Sequence, residues 1–157
     1  EDGGGGAVVL GKVAKLDATE CDFLQNTATE NSGGAIKAVY GSEVNIKDST
    51  ATGNTAKTNG GFGAFRQSRN IVLGPRVAFE ANRAGRQGGA LELDDVLESV
   101  EIIDSSFLMN TAETGDGGAV LVSTRSVVTF SKGVQFVENT AIQGNVSMDS
   151  SMNRQLR

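Results

Sequence analysis

Residues 79–93 read FEANRAGRQGGALEL and contain the two motifs that decide the fold, F-x-x-N starting at Phe79 and G-G-A-L starting at Gly88. The Asn belongs to an Asn-x-Ala pattern that recurs every 28 or 29 residues, at Asn26, Asn54, Asn82, Asn110 and Asn139. A Gly-Gly pair recurs in phase with it, starting at Gly5, Gly33, Gly60, Gly88 and Gly117. A repeat of this length indicates a solenoid, in which each repeat packs on its neighbours.

The repeats share apolar columns with a period of two residues. Three residues before each Asn stand Phe23, Ala51, Phe79, Phe107 and Phe136, and two residues earlier stand Cys21, Ser49, Val77, Ser105 and Val134. Alternating apolar pairs precede these columns, and further pairs follow each Gly-Gly step, as in Leu91 and Leu93. A period of two is typical of β-strands. We therefore expect three short strands in each repeat, with these columns facing inward.

Three strands in about 28 residues leave no room for a connecting helix. Identical residue types at one position of every repeat favour a parallel β-helix over a sandwich of hairpins, because like residues stack when one coil lies on the next at about 4.8 Å. The predicted stacks are a ring ladder of Phe23, Phe79, Phe107 and Phe136, and an amide ladder of Asn26, Asn54, Asn82, Asn110 and Asn139. The sequence thus predicts an all-β fold, a parallel β-helix of about five coils.

The repeats divide the chain into a solenoid and a tail. The solenoid is predicted over residues 1–143, with coils near 5–32, 33–59, 60–87, 88–116 and 117–143. Residues 144–157 lose the pattern, and we expect them to form an irregular cap or linker. Because residue 1 is Glu and no signal segment or capping repeat precedes the first coil, we expect a piece of a larger protein.

The pairing of G-G-A-[ILV] with F-x-x-N resembles the repeats of the chlamydial polymorphic membrane proteins, which are autotransporter adhesins. Similar repeats occur in large surface proteins of algae and other protists. The resemblance covers residues 5–143 and departs from the family pattern at residues 51–54 and 60–63. It implies a right-handed β-helix at the cell surface or outside the cell, with a structural or adhesive role. The implied partners are other protein chains or the rest of the parent protein.

Composition excludes several other functions. A net charge of −5 and a pI near 4.7 disfavour a nucleic-acid surface, and no apolar run is long enough for a transmembrane helix. The chain has no His and one Cys, which removes His-based catalysis and the usual zinc sites. A calcium β-roll needs an Asp where this sequence has Phe65. We therefore expect no catalysis, no cofactor and no bound metal.

The third repeat is irregular and rich in arginine, with Arg66, Arg69, Arg76, Arg83 and Arg86. Polysaccharide lyases built on β-helices use an Arg base, so the alternatives are a polysaccharide-binding or polysaccharide-cleaving β-helix and a packing subunit of a filament. We expect a protein or glycan partner to contact Phe62, Arg66 and Arg69. Counting from the Gly-Gly pairs places Arg66 beside Asp94 of the next coil, which predicts an exposed ion pair between them.

Overall fold

The computed structural model describes residues 5–123 and 125–143 of the 157-residue chain. Within these residues every regular element is a β-strand, and the strands form four parallel sheets of five strands each. Each coil contributes one strand to each sheet in the same order. The prediction of an all-β parallel solenoid of about five coils is confirmed, and the arrangement is consistent with a right-handed β-helix. The predicted tail, residues 144–157, lies outside the described residues.

We name the sheets A to D in the order in which the chain enters them. Sheet A contains β1 (Val8–Leu10), β5 (Ile36–Val39), β9 (Gly63–Arg66), β13 (Leu91–Asp94) and β17 (Val120–Ser123). Sheet B contains β2 (Lys15–Thr19), β6 (Glu43–Lys47), β10 (Asn70–Leu73), β14 (Ser99–Ile103) and β18 (Val128–Ser131). Sheet C contains β3 (Asp22–Leu24), β7 (Ser49–Thr52), β11 (Val77–Glu80), β15 (Ser106–Leu108) and β19 (Gln135–Val137). Sheet D contains β4 (Thr27–Ala28), β8 (Thr55–Ala56), β12 (Arg83–Ala84), β16 (Thr111–Ala112) and β20 (Thr140–Ala141).

Sheet D corrects the prediction of three strands per coil, because each coil has four. Its strands are the two residues that follow each ladder Asn. Two residues are too few to show a period of two, so the sequence pattern gave no sign of a strand here. The Ala of each Asn-x-Ala pattern faces inward, and Ala56, Ala84 and Ala112 are buried.

The coils stack in register, which places equivalent residues of successive repeats side by side. Ile71 of β10 pairs with Val44 of β6 on one side and Val100 of β14 on the other. The apolar columns predicted to face inward form one continuous core that extends through all five coils. The phase of the repeat, read from the Asn and Gly-Gly motifs, is therefore correct.

The Phe column forms a ladder of stacked rings at the sheet C side of the core. The centroids of Phe79 and Phe107 are 4.6 Å apart with an interplanar angle of 11°, and those of Phe107 and Phe136 are 4.9 Å apart at 8°. This near-parallel stacking is the arrangement predicted for the column. The second coil has Ala51 at this position, which interrupts the ladder below Phe79.

Phe62 fills the space that Ala51 leaves. Its ring centroid lies 5.4 Å from that of Phe23 and 5.4 Å from that of Phe79, so it bridges the two parts of the ladder. Phe62 occupies the column in which the other coils have the small residues Ala7, Ala35, Ala90 and Ala119. The second and third coils have thus exchanged a large and a small residue between two columns of the same core.

A second exchange of size occurs inside β9. Gly63 stands in the column of Ile36 and Leu91, and a Cβ atom added to it would overlap the ring of Phe65. The Phe65 ring therefore occupies the space that a side chain at position 63 would fill. The irregular sequence of the third repeat reflects repacking of the core.

The Asn column forms a continuous ladder of hydrogen bonds from the first coil to the fifth. In each step the backbone N–H and the side-chain Nδ2 of one Asn donate to Oδ1 of the Asn in the next coil, as Asn54 does to Asn82 at 3.0 and 2.9 Å. The Nδ2 group of the Asn in the next coil also donates to a backbone carbonyl of the earlier coil, as Asn82 does to the Ala51 carbonyl at 2.8 Å. Asn54, Asn82 and Asn110 are fully buried, which confirms the predicted amide ladder.

The sharp bends of the coil use left-handed backbone conformations. The residue before each ladder Asn has a positive φ, and at four of the five bends it is not glycine: Gln25, Ala81, Met109 and Glu138. At the Gly-Gly step, by contrast, glycine is required on steric grounds. Gly88 has a φ of 64°, and a Cβ on Gly89 would collide with the carbonyl of Gly118 in the next coil.

We predict that Phe62→Ala lowers the free energy of unfolding by about 3–5 kcal/mol, because it opens a cavity between two rings of the ladder. Ala51→Phe alone overfills the same space and costs about 1–3 kcal/mol. The double variant Ala51→Phe, Phe62→Ala restores the pattern of the other coils and recovers most of this loss. Urea unfolding of all three variants measures the coupling. If the double variant lost as much stability as the two single variants together, Phe62 would not be filling the space left by Ala51.

Asn82→Leu is expected to lower the free energy of unfolding by at least about 3 kcal/mol, although it adds apolar surface. The substitution removes Oδ1, the acceptor of the backbone N–H and of Nδ2 of the buried Asn54, and it removes the Nδ2 donor from Oδ1 of Asn110 and from the Ala51 carbonyl. Each buried group that is left unpaired costs about 1–3 kcal/mol. Asn139→Leu, at the last coil, breaks one step of the ladder and serves as the control. Thermal or urea unfolding that shows no loss for Asn82→Leu would refute the ladder.

Candidate binding site

The outer face of sheet A carries two charged side chains that are buried. The column that faces outward contains Val9, Lys37, Ala64, Glu92 and Leu121. Lys37 and Glu92 are nevertheless buried, with 6% and 3% of their surface exposed. Asn59, from the turn before Gly60, reaches this face and donates to Glu92 Oε1 at 2.5 Å. This face is therefore partly covered by the protein itself.

Arg66 closes over Glu92 from the neighbouring strand. Its Nε donates to Oε2 at 2.9 Å and its Nη2 donates to Oε1 at 2.8 Å, a two-point contact between a guanidinium and a carboxylate. The Arg66 side chain is 41% exposed while that of Glu92 is 4% exposed. The charge of Arg66 thus compensates a carboxylate that has lost most of its water.

The partner of Arg66 differs from the prediction. Arg66 does lie opposite Asp94 in the register of sheet A, as the count from the Gly-Gly pairs predicted. The observed ion pair is with Glu92, two residues earlier on the same outer face. A long side chain reaches such a diagonal neighbour, and the more deeply buried carboxylate has more to gain from a cation.

A polar cleft of about 320 Å³ opens beside this ion pair. Tyr40 stands at the cleft with half of its surface exposed. The other lining residues are Asn31, Lys37, Val39, Arg66, Gln67, Asp94 and Asp95. The cleft combines an aromatic ring with cationic donors, amides and carboxylates, the set of groups that a polar ligand with several hydroxyl groups would use.

Two side chains near the cleft are already fixed by neighbours in the fifth coil. Asp94 Oδ1 accepts a hydrogen bond from Ser123 at 3.0 Å, and Asp95 is paired with Arg125 at 3.0 Å. Asn59 Oδ1 is buried and has no hydrogen-bond partner among the described residues. The acidic side of the cleft is therefore held in place before any ligand arrives.

Three other arginines of the third coil, Arg69, Arg76 and Arg83, also connect neighbouring coils. Arg69 pairs with Glu98 at 3.2 Å, and both side chains are about half exposed. The further pairs between coils are Arg76 with Asp48, Arg83 with Glu113, and Lys57 with Glu30. Arginine in the third repeat thus serves mainly to tie this coil to the ones beside it.

One further carboxylate, in the first coil, has a perturbed pKa. Hydrogen bonds from Lys15 and then Asn45 to the Asp17 side chain hold the pKa of this carboxyl below its ordinary value. Asp17 and Lys15 are both exposed, so water screens their interaction. Asp17 lies in the first coil and is not among the residues that line the cleft.

The three residues predicted to contact a partner lie in three different environments. Phe62 is fully buried in the ring ladder, so the prediction that it contacts a partner is wrong: the gap at Ala51 draws its ring into the core. Arg66 borders the cleft, and Arg69 lies in a separate surface ion pair. Sequence reasoning missed Lys37, Tyr40 and Glu92, because period-two alternation marks Lys37 and Glu92 as ordinary exposed residues.

Comparisons of the chain with protein-family models, curated proteins and solved structures find no match. The resemblance to the polymorphic membrane protein repeat therefore stays a prediction, while the parallel solenoid is shown by the structure. Within residues 5–123 and 125–143, no helix is long and apolar enough to cross a membrane. In the same residues no three His, Cys, Asp or Glu side chains are grouped so that they could hold a metal ion.

We predict that Arg66→Gln costs about 2 kcal/mol of unfolding free energy, because it leaves the buried Glu92 carboxylate without its cation. Arg69→Gln is the matched control: it removes an Arg from an exposed pair of the same coil and should cost under about 1 kcal/mol. Urea unfolding followed by circular dichroism compares the two. An equal or larger loss for Arg69→Gln would show that the burial of Glu92 does not determine the strength of the pair.

Proposed function

We propose that this chain is a non-catalytic structural and adhesive β-helix that belongs to a larger extracellular or cell-surface protein. The proposal is based on the polar side chains, which mainly join one coil to the next. Among the described residues, both the Asn ladder and most of the arginine ion pairs make such contacts between coils. Groups committed to such contacts maintain a rigid rod. They are not free to act as acids, bases or nucleophiles.

The shape of the solenoid supports an adhesive role. Five coils at about 4.8 Å each give a rod core roughly 24 Å long, with four strips of parallel strands around it. Such a rod holds its surface residues in fixed rows, so a partner finds the binding surface already ordered and little entropy is lost on contact. The sequence resemblance to surface adhesins supports the extracellular or cell-surface location.

A polysaccharide-binding role is the second candidate, and the cleft on sheet A favours it. Tyr40 supplies a half-exposed ring against which a sugar ring can pack, and Arg66 and Lys37 supply donors beside it. The cleft has the mixture of one apolar surface and several polar groups that small ligands need. Under this proposal the rod holds the glycan and does not cleave it.

The absence of cleavage is tested by incubating the protein with a panel of acidic and neutral polysaccharides in the presence of calcium. We expect no release of unsaturated or reducing ends above the background without protein. Release of such ends that Arg66→Ala or Arg69→Ala abolishes would overturn the non-catalytic assignment.

Binding is tested with the same panel, by titration of fluorescently labelled glycans. If a glycan binds at the cleft, Tyr40→Ala should weaken binding by about tenfold, because one stacked ring contributes on the order of 1–1.5 kcal/mol. Leu97→Ser removes another exposed apolar side chain that does not line the cleft, and should leave binding unchanged. Equal effects of the two substitutions would remove the cleft from consideration and leave the adhesive role on another face.

A further inference from the structure

Charged residues form a row along one side of the rod, at the bend between sheets B and C. Each coil contributes one residue of positive φ to this row: Glu20, Asp48, Arg76, Asp104 and Lys132. The register of the flanking strands places them at equivalent positions of successive coils. All of them are charged, but the sign does not follow the repeat: from the first coil to the fifth it is negative, negative, positive, negative and positive. We call this row the charged ridge.

Most of the charged ridge can contact another molecule. Asp104 and Lys132 are exposed, and neither forms an ion pair with another described residue. Arg76 pairs with Asp48 through Nη2, yet the Arg76 side chain is 68% exposed. A guanidinium has five N–H donors, so Arg76 can contact a second carboxylate while it keeps the first. The charged ridge therefore presents both signs of charge to an approaching surface.

A groove of about 570 Å³ lies beside the charged ridge, on the outer face of sheet C. Asp48, Arg76 and Asp104 line it along the ridge. Its floor consists of outward-facing residues of sheet C, which at the third and fourth coils are the small residues Ala78 and Ser106. The groove crosses the second to fifth coils, which corresponds to about 14 Å along the rod. It thus has room for a bend of another rod.

The order of the charges determines how a second copy can fit against the first. Consider two antiparallel copies related by a two-fold axis that passes between the third and fourth coils. Arg76 then faces Asp104 of the other copy, Asp48 faces Lys132, and the symmetry makes each contact twice. Every facing pair has opposite signs, which is favourable across an interface, whereas like charges repel. An axis at the level of the third or fourth coil would instead bring Arg76 or Asp104 against its own copy.

Parallel arrangements of two copies match less well. In the same register, every residue of the charged ridge would face its own copy. A parallel pair displaced by one coil does bring Asp104 opposite Lys132, but it also brings Glu20 opposite Asp48 and leaves the two copies in different environments. Most contacts between identical chains are two-fold symmetric, with the same surface used on both sides. The charge order thus favours the antiparallel arrangement.

We propose that two copies of this chain associate side by side and antiparallel through the charged ridge, with the two-fold axis between the third and fourth coils. The ridge of each copy lies in the groove of the other, over Ala78 and Ser106. Because both copies use the same surface, the contact closes at a dimer. It lies on the side of the rod and does not depend on what adjoins the first or the fifth coil. This association goes beyond the structural and adhesive role and uses a different face from the cleft on sheet A.

Sedimentation velocity of the full 157-residue chain, from about 10 µM to 2 mM, tests the proposal. A contact along about 14 Å of rod is smaller than a standard interface, so we expect a weak dimer with a Kd between about 10 µM and 1 mM. Raising the salt from about 50 to 500 mM should weaken the dimer at least about tenfold, because salt screens exposed charges. A chain that stays monomeric, that associates beyond a dimer, or whose dimer ignores salt would overturn the proposal.

Three charge reversals test whether the charged ridge forms the contact: Asp104→Lys, Arg76→Glu and Lys132→Glu. Each introduces a residue type that the same bend already holds, at Lys132 or Glu20, so the backbone conformation is kept. Each places like charges opposite one another twice and should weaken the dimer at least about tenfold. Glu138→Lys is the matched control, since it makes the same change of net charge as Asp104→Lys at an exposed bend between sheets C and D. An equal effect of Glu138→Lys would refute the contact.

Mixtures of these variants identify the orientation of the two copies. Asp104→Lys mixed with Arg76→Glu should form a heterodimer about as tight as the original dimer, because the new lysine faces the new glutamate. Asp104→Lys mixed with Lys132→Glu should stay weak in the antiparallel arrangement, but would recover in a parallel pair displaced by one coil. Recovery in both mixtures, or in neither, would refute the proposed arrangement. Circular dichroism verifies that each variant is folded before its association is compared.

Discussion

The rest of the structure depends on one interaction, the hydrogen bonding of a buried Asn amide to the same residue one coil away. An amide at the core cannot be left unpaired without a cost of about 1–3 kcal/mol for each group. Asn82 meets this requirement in full because Asn54 and Asn110 stand at the same position of the adjacent coils, one as a side-chain donor and the other as an acceptor. The spacing of the Asn residues, and with it the length of every coil, is therefore fixed more strictly than the identity of the apolar residues around them.

The apolar core, by contrast, is specified by its total volume. The space left by Ala51 is filled by Phe62, which belongs to a different strand and a different column. Gly63 is small because the Phe65 ring lies over it. A core that is packed to a constant density allows such exchanges, provided that the enlarged residue lies next to the residue that has become smaller. A repeat protein has many opportunities for them, because each residue touches equivalent positions in two other coils.

The same contrast explains what the sequence could predict. The Asn and Gly-Gly motifs gave the period, the parallel stacking, the inward columns and both ladders, because each of these features repeats in every coil. The fourth strand could not be recognised, since two residues carry no period. Phe62 looked exposed because its true neighbour, Ala51, lies 11 positions away in the sequence. Glu92 alternates like a solvent-facing residue, and its burial follows from contacts with Asn59 and Arg66 of earlier repeats, which no pattern within one strand can indicate.

The left-handed bends before the ladder Asn residues have a consequence for how the surface of this protein can vary. Gln25, Ala81, Met109 and Glu138 share a backbone conformation that ordinarily costs L-residues about 1 kcal/mol or more, yet they share no side-chain chemistry. Stacking of the coils imposes the conformation from outside, so the side chain at each bend has no part in producing it. The rod therefore carries a line of positions in which charge, size and polarity can diverge between related proteins while the interior stays the same.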